Sequence, residues 1–441
     1  MLKSELRILI KLGLPIALAE LSGMVLATLG TYMIGQIGVT DVAAAGAANP
    51  IFWLVALIGI GGLSMTSPLV AAADERDEPA EVKRILFASS ITSLLFAGVE
   101  ILFLGLLNLN FHLLGHQTDV ATLAQPYLWI LIAQLPMMSL YFNLIYFTDG
   151  LSLTRIGLVF SLLGFVFGAL LNWLFVFGHW GFPQMGLYGL GLSSMLTIIL
   201  QLGAMLIYLR NSHRFRYIMA PNITWPAIWS KTRDYISVAL PVSGQALIEY
   251  SAYAVGAIWI GQLGKYPLAG HQVAMTLVGT TFVVLMAIGT AGSIRIGQAF
   301  GQKNPAQIRL SGYTAMLLGV GIVLIPALSF MFASDAIARF FIDDPKVWDI
   351  AASLIVIAGF FQVSDAMQSV GISLLRGMED TRMPSLISFV AYWVLGMPIA
   401  YWLIFHLNWG VQGVWIGFLI ALTTQAIWFT WRFNQLSRRQ V

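Results

Sequence analysis

The sequence predicts an all-α membrane protein of twelve transmembrane helices, arranged as two six-helix lobes related by a pseudo-twofold axis. Three observations predict it: a composition too apolar for a watery exterior, twelve apolar stretches of spanning length, and an internal repeat. Of the 441 residues, 58% are hydrophobic and 10% charged, with a mean hydropathy of +0.82. A soluble domain carries about 25% charged residues because its outside faces water. A chain with less than half that share presents most of its surface to lipid. Length alone suggests about three soluble domains, but no polar linker or disordered segment separates the apolar blocks. The absence of cysteine excludes disulfides, thiolate metal sites and cysteine nucleophiles. The pI near 9.0 does not indicate nucleic acid, because the basic residues are scattered between apolar runs rather than gathered on one face.

Taken in order, the chain opens on a basic segment with Lys3, Arg7 and Lys11, which runs into an apolar stretch to Gly30. No small-residue cleavage site marks a signal peptide, so this is read as a retained first helix. A spanning helix needs about 20 mostly apolar residues. Stretches that qualify lie near 8–32, 43–72, 85–110, 122–147, 156–178 and 188–210, then near 235–261, 268–294, 308–333, 347–375, 385–406 and 411–431. Several exceed what a bilayer requires, which predicts tilted or bent helices, with Pro15, Pro68, Pro136, Pro241, Pro326 and Pro398 as the candidate bends. Charge supports the count. With the N-terminus cytoplasmic, 20 of the 23 basic residues fall in inner segments, and only Lys265, Arg339 and Lys346 fall outside. Miscounting one helix would invert everything downstream. Both termini are therefore expected inside.

The chain repeats itself. Gly13-Leu14-Pro15-Ile16 recurs as Ala239-Leu240-Pro241-Val242, and Gly35-Gln36-Ile37-Gly38 as Gly261-Gln262-Leu263-Gly264, both 226 positions on. Gly150…Thr154-Arg155 matches Gly377…Thr381-Arg382 at a shift of 227. Six crossings return the chain to its starting side, so the two halves run in parallel, with a substrate path expected between the lobes. The expected organisation is an N-terminal lobe over 1–210, a cytoplasmic linker over 211–233 and a C-terminal lobe over 234–441.

A charged group inside a membrane costs about 2.5–3.5 kcal/mol on insertion scales, so one that persists needs a reason. Glu20, Glu100, Glu249 and Asp365 lie well inside the first, third, seventh and tenth spans, while Asp149 lies at a helix end and reads as a cap or loop residue. Glu249 sits among small and hydroxyl-bearing neighbours, with Tyr250 and Tyr253 beside it. Gln362, Asp365, Gln368 and Ser369 follow i, i+3, i+6, i+7, so one face of the tenth helix is polar and does not face lipid. Two carboxylates in the second lobe form a candidate monovalent-cation site, for Na⁺ with oxygen ligands or for exchangeable protons. Static hydrogen-bonded struts between helices are the plainer alternative, and Glu100, among uniformly apolar neighbours, fits that role best. Asn172 is a candidate cleft residue of the first lobe or an interhelical hydrogen-bonding group. Gln272 and His271 open the eighth span and face either the cleft or the outer interface. Arg295 and Arg376 each close a helix at the inner side and read as structural and topological. HExxH, Walker A, GxSxG and dinucleotide motifs are all missing, so no enzyme activity is expected and an ion gradient, rather than ATP, is the expected energy source.

At these residues the chain resembles the multidrug and toxic compound extrusion (MATE) family, in its NorM-like branch, over nearly its whole length. The most specific segments are Leu247-Ile248-Glu249, Gly289-Thr290-Ala291-Gly292-Ser293-Ile294-Arg295-Ile296-Gly297, Phe361-Gln362-Val363-Ser364-Asp365 and Leu375-Arg376-Gly377. The resemblance implies two six-helix lobes working by alternating access, and export of amphipathic, often cationic compounds in exchange for Na⁺ or H⁺. It also implies cation coupling at Glu249 and Asp365. Members commonly carry an aspartate just before Thr-x-Met-x-Gly of the first helix, where this chain has Gly30. Glu20, about ten residues nearer the cytoplasm, is the candidate substitute, and Phe361 stands where a phenolic ligand is otherwise placed. These departures point to a second-lobe cation site, with Na⁺ ahead of H⁺. The expectation is thus a monomeric multidrug antiporter of a bacterial inner membrane, without cofactor or nucleic-acid partner. Asn172, Gln272, Tyr250, Tyr253, Phe361, Gln362 and Gln368 are its substrate-cleft candidates. The alternative is a lipid or lipid-linked oligosaccharide flippase of the same superfamily.

Overall fold

The computed structural model describes residues 2–114, 117–215, 224–341 and 344–439. Residues 216–223 of the expected linker, Arg216 among them, lie outside the described residues. In chain order the helices are α1 (Leu2–Gly35), α2 (Val39–Leu63), α3 (Thr66–Glu75), α4 (Pro79–Leu109), α5 (Thr118–Gly150), α6 (Thr154–Phe177) and α7 (Gly186–Asn211). They continue as α8 (Trp225–Leu263), α9 (Lys265–Gly301), α10 (Pro305–Phe332), α11 (Ser334–Phe341), α12 (Pro345–Gly377), α13 (Arg382–Phe389), α14 (Met397–Phe405) and α15 (Val411–Arg439). Each of the twelve apolar stretches lies on a helix or a joined pair of helices. Among the described residues, eleven helices are long and apolar enough to cross a membrane, with α2–α3 and α13–α14 each counted once. The twelfth expected span is α8. It has 39 residues, but Ser243, Gln245, Glu249, Tyr250 and Ser251 dilute its apolar density.

Local chemistry explains where several helices start and break. α10 and α12 begin at Pro305 and Pro345, whose missing N–H costs nothing in a first turn. Asn304 and Asp344 cap them by accepting from the Gln307 and Lys346 amides at 3.1 and 2.9 Å. The second apolar stretch divides between α2 and α3 because Pro68 cannot donate to the carbonyl of Ser64, four residues back. A π-helical turn, Val390–Gly396, separates α13 from α14 directly before Pro398, which likewise cannot donate to the carbonyl of Val394.

The polarity of α4 shows what a lipid-facing surface demands. On α4, Val99, Leu102, Phe103 and Leu106 form one exposed stripe at 55–68% exposure, while Ser89, Thr92, Ser93 and Glu100 are buried.

Two compact units make up the chain. One comprises Leu18–Ser243; the other comprises Gly244–Val441 together with Met1–Ala17. Each unit thus takes the opening turns of the helix that begins the other sequence repeat, so the units are cut differently from 1–210 and 234–441. Side-chain pairing explains the exchange. In the unit Gly244–Val441 with its N-terminal segment, Glu5 of α1 accepts from Arg295 Nε at 2.8 Å and Nη2 at 3.0 Å, from Gln307 at 2.8 Å and from Ser311 at 2.7 Å. In the unit Leu18–Ser243, Lys231 of α8 pairs with Glu81 of α4 at 2.5 Å, and Tyr235 Oη lies 2.7 Å from Thr66 Oγ1. Residue 231 is residue 5 moved on by the repeat of 226, and Gln307 bears the same relation to Glu81.

The core of the unit Gly244–Val441 is aromatic, with Phe361, Tyr392, Trp415 and Phe418 buried together. Among the described residues, the unit Leu18–Ser243 packs one core around Phe52 and Tyr127 and another around Phe147, Phe215 and Tyr235.

Candidate functional site

The site is assembled in the unit Gly244–Val441 by residues one helical turn apart. On α8, Gln245, Glu249 and Tyr253 are spaced i, i+4, i+8 and form one stripe. Glu249 is half-buried, and its Oε1 is heavily served. It accepts from Gln245 Nε2 at 3.0 Å and from Gln368 Nε2 at 2.9 Å, with Ser388 Oγ at 3.5 Å. On α12, Gln362, Asp365, Gln368 and Ser369 are all buried, as their spacing requires if that face avoids lipid. Ser369 Oγ lies 3.2 Å from Asp365 Oδ1 and 3.0 Å from Gln368 Oε1. Gln425 of α15 closes the network, with its Oε1 at 2.8 Å from Ser388 Oγ and 3.4 Å from Gln368 Nε2.

The network is short of donors where it matters. Asp365 Oδ2 and Gln362 Oε1 are buried and have no hydrogen-bond partner. An acceptor left without a donor in a dry interior costs about 1–3 kcal/mol, more when it is charged. Glu249 and Asp365 also act on each other electrostatically. Two oxygen-bearing acids with an unserved carboxylate oxygen suit a proton or a monovalent cation. Among the described residues, no group of three or more His, Asp or Glu side chains is arranged to hold a metal ion.

Other expected residues fall differently. Phe361 is 1% exposed and packs 5.8 Å from the Trp415 ring, within the core. Tyr253 reaches Tyr392 through their hydroxyls at 3.2 Å, and Tyr250 is half-buried. Gln272 is exposed, whereas His271 beside it is buried, its Nδ1 accepting from Trp415 Nε1 at 3.1 Å.

Within the unit Leu18–Ser243, Asn172 is buried and faces Gly30. A Cβ at Gly30 would lie 3.6 Å from Asn172 Nδ2 and 2.7 Å from Leu190 Cδ1. The acids here do not gather as those of α8 and α12 do. Glu20 on α1 is exposed, and its charge reaches Asp149 and Tyr141. Asp149 closes α5 as expected, but it is no solvent-facing cap: it is 2% exposed and its Oδ1 has no partner. The carboxyl of Glu100 fills the notch left by the missing side chain of Gly59.

Sequence reasoning missed Gln245, Ser388 and Gln425. Gln245 carried a usable signal, four residues before Glu249 on one helix. Ser388 and Gln425 are uncharged groups on other helices, and only the fold brings them close.

Comparisons with known proteins follow the same lines. The MatE family model matches residues 15–174 and again 241–402, two stretches that begin 226 residues apart at Pro15 and Pro241. A multidrug resistance protein NorM from Burkholderia vietnamiensis is 32% identical over 437 residues, which is 96% of this chain and 92% of the relative. Another, from Vibrio vulnificus, is 29% identical over 446 residues, covering 99% and 97%. The solved structure of the eukaryotic MATE transporter AtDTX14 superposes with a TM-score of 0.89 at 19% identity, over 100% of this chain and 98% of that one. A MOP superfamily transporter from Pyrococcus furiosus does so at 0.87 and 18%, over 99% and 96%. These structures share the fold.

Proposed function

Because the chain belongs to the MatE family, we propose that it is a cation-coupled multidrug antiporter, which exports amphipathic, often cationic compounds from the cytoplasm in exchange for Na⁺ or H⁺. It works by alternating access, as a monomer in a bacterial inner membrane with both termini cytoplasmic. The observation that carries the reading is the buried, unserved Oδ2 of Asp365 on α12, in one hydrogen-bonded network with Glu249 of α8. Asp365 Oδ2 is tolerated without a partner because an ion or proton occupies it during the cycle. By linkage the ion drives the cycle only if it binds the two conformations with different affinity. Glu249 and Asp365 are the coupling residues, with Glu20 as a further acid in the other unit. Gln272 and Tyr250 keep surface for contact with cargo, while Gln362 and Gln368 order the carboxylates. The relatives named multidrug resistance proteins support the substrate class.

The test is accumulation of a cationic dye in proteoliposomes under an imposed Na⁺ gradient or, separately, a pH gradient. One of the two drives the wild type. Asp365→Asn and Glu249→Gln are each expected to lower that gradient-driven transport at least about tenfold. If both variants pump like the wild type under both gradients, the assignment is wrong.

A further inference from the structure

A fixed positive charge is tied into the network around Glu249. Arg376, in the last turn of α12, donates from Nη2 to Gln245 Oε1 at 2.9 Å, and Gln245 donates from Nε2 to Glu249 Oε1 at 3.0 Å. One side-chain amide therefore bridges a guanidinium and a carboxylate. We propose that Arg376, acting through Gln245, is a built-in competitor of the coupling cation at Glu249 and sets the cation concentration at which the exchanger turns over. The inference rests on the reading of Glu249 and Asp365 as the coupling pair.

The orientation of the Gln245 amide is held from both sides. Its oxygen faces a donor-only group and its NH₂ faces an acceptor-only group, and the reverse would oppose donor to donor and acceptor to acceptor. In this arrangement the amide presents N–H to Glu249. N–H groups satisfy a carboxylate, but they do not ligate a cation; amide oxygens do. A cation that takes the place of the Gln245 N–H at Oε1, or turns the Gln245 oxygen towards itself, loosens the tie to Arg376. The guanidinium also acts directly, since its charge reaches both Glu249 and Tyr250. The other groups that face this carboxylate are Asp365 of α12, Tyr250 and Tyr253 of α8 and Tyr392 of the π turn. Tyrosines are neutral at working pH. Among the described residues facing Glu249, Arg376 thus supplies the positive charge that an incoming cation meets.

A unit charge about two residues' width away, at the effective dielectric of a partly wet interior, is worth about a tenfold change in cation affinity. The experiment titrates the full-length protein with Na⁺, read by tryptophan fluorescence. Trp393 is a local reporter, its indole donating to the carbonyl of Ile248 at 3.2 Å, next to Glu249. The same variants are assayed for the half-maximal Na⁺ or proton concentration of dye exchange. Arg376→Gln is expected to lower that concentration about tenfold, and Arg376→Lys to keep it near the wild-type value. Gln245→Met is expected to raise it severalfold, because the guanidinium then pairs with Glu249 directly. The double variant should return to the value of Arg376→Gln alone. A purely structural role lowers maximal rate and folded yield without moving half-saturation in opposite directions. The proposal is overturned if Arg376→Gln and Gln245→Met leave half-saturation unchanged or shift it the same way. Should Arg376→Gln not fold, Gln245→Met and Arg376→Lys decide alone, the first by the direction of its shift. If Glu249→Gln abolishes coupling while these variants shift nothing, only this inference falls. If Glu249→Gln exchanges normally, the coupling assignment falls with it.

Discussion

The unit Leu18–Ser243 and the unit Gly244–Val441 repeat the same helical plan with different polar equipment. In the second, Glu249, Asp365 and Arg376 join Gln245, Gln368, Ser388 and Gln425 in one charged network. In the first, the interhelical network is neutral: Tyr235 Oη to Thr66 Oγ1 at 2.7 Å, Thr66 to Asn143 Oδ1 at 2.9 Å and Asn143 Nδ2 to Ser90 Oγ at 3.1 Å. Its acids stand apart from that network: both carboxylate oxygens of Glu100, in the notch at Gly59, and Oδ1 of Asp149, at the end of α5, are buried without a hydrogen-bond partner. Position 30, where the resemblance implies a carboxylate, is a glycine against Asn172 and Leu190. Helix crossings are fixed by backbone approach and side-chain volume over the whole length of each helix. A charge answers only to its own few neighbours, so the chemistry diverges on one helical plan.

The largest expected effect would break this comparison if it failed. Asp365→Asn should remove gradient-driven dye export almost entirely, whereas Glu20→Gln should lower it only about threefold to tenfold. Proteoliposomal uptake under the gradient that drives the wild type measures both. An equal loss in the two variants would mean that coupling is shared between the units.

The fold was legible because the bilayer imposes one rule on the entire chain, and twelve apolar stretches with a biased loop charge satisfy it in one way. The α2–α3 break and the π turn were only hinted at, through Pro68 and Pro398, because a proline marks where backbone bonding fails and not how the helix accommodates it. Glu249 and Asp365 stood out as charges amid hydrocarbon. Gln245 and Gln425 did not, since an uncharged amide costs little in a span and its role comes from a partner on another helix. Arg376 was misleading for a different reason: a cation at an inner helix end has a sufficient topological explanation, which hid its bond to Gln245. Glu5 passed unnoticed among the lysines of the basic opening segment.

The opening segment gives the next contrast. The Glu5 side chain is 4% exposed and its partner Arg295 18%, whereas Lys231 and Glu81 are 23% and 21% exposed. Removing one member of a buried, multiply bonded pair leaves the other charge stranded and costs about 3 kcal/mol or more. The more open pair contributes about 1 kcal/mol. In detergent, Glu5→Ala should therefore lower the thermal midpoint by about 6–12 °C and Lys231→Ala by about 2–4 °C. Similar losses at the two equivalent positions would remove the distinction between a buried anchor and a surface one.

The smallest effect concerns the crossings that seat those anchors. Gly13 of α1 approaches α9, and Gly62 of α2 approaches α8 near Ala239, the residue that stands for Gly13 in the repeat. At Gly13 an added Cβ would lie 3.5 Å from both Ala287 O and Ala291 Cβ, which is ordinary contact. At Gly62 it would press on Ser243 Oγ, with Phe96 Cε2 at 2.8 Å and Ala239 O at 3.0 Å. The serine can rotate, but a backbone oxygen inside a helix cannot give way without moving the helix. Gly13→Ala should be neutral or stabilising by about 0.5–1 kcal/mol, since alanine restricts the unfolded chain and suits a helix. Gly62→Ala should cost about 1–3 kcal/mol through overpacking. Thermal midpoints of the two purified variants, measured side by side, check both signs. A destabilised Gly13→Ala beside an unchanged Gly62→Ala would mean that the tighter of the two crossings is the one between α1 and α9.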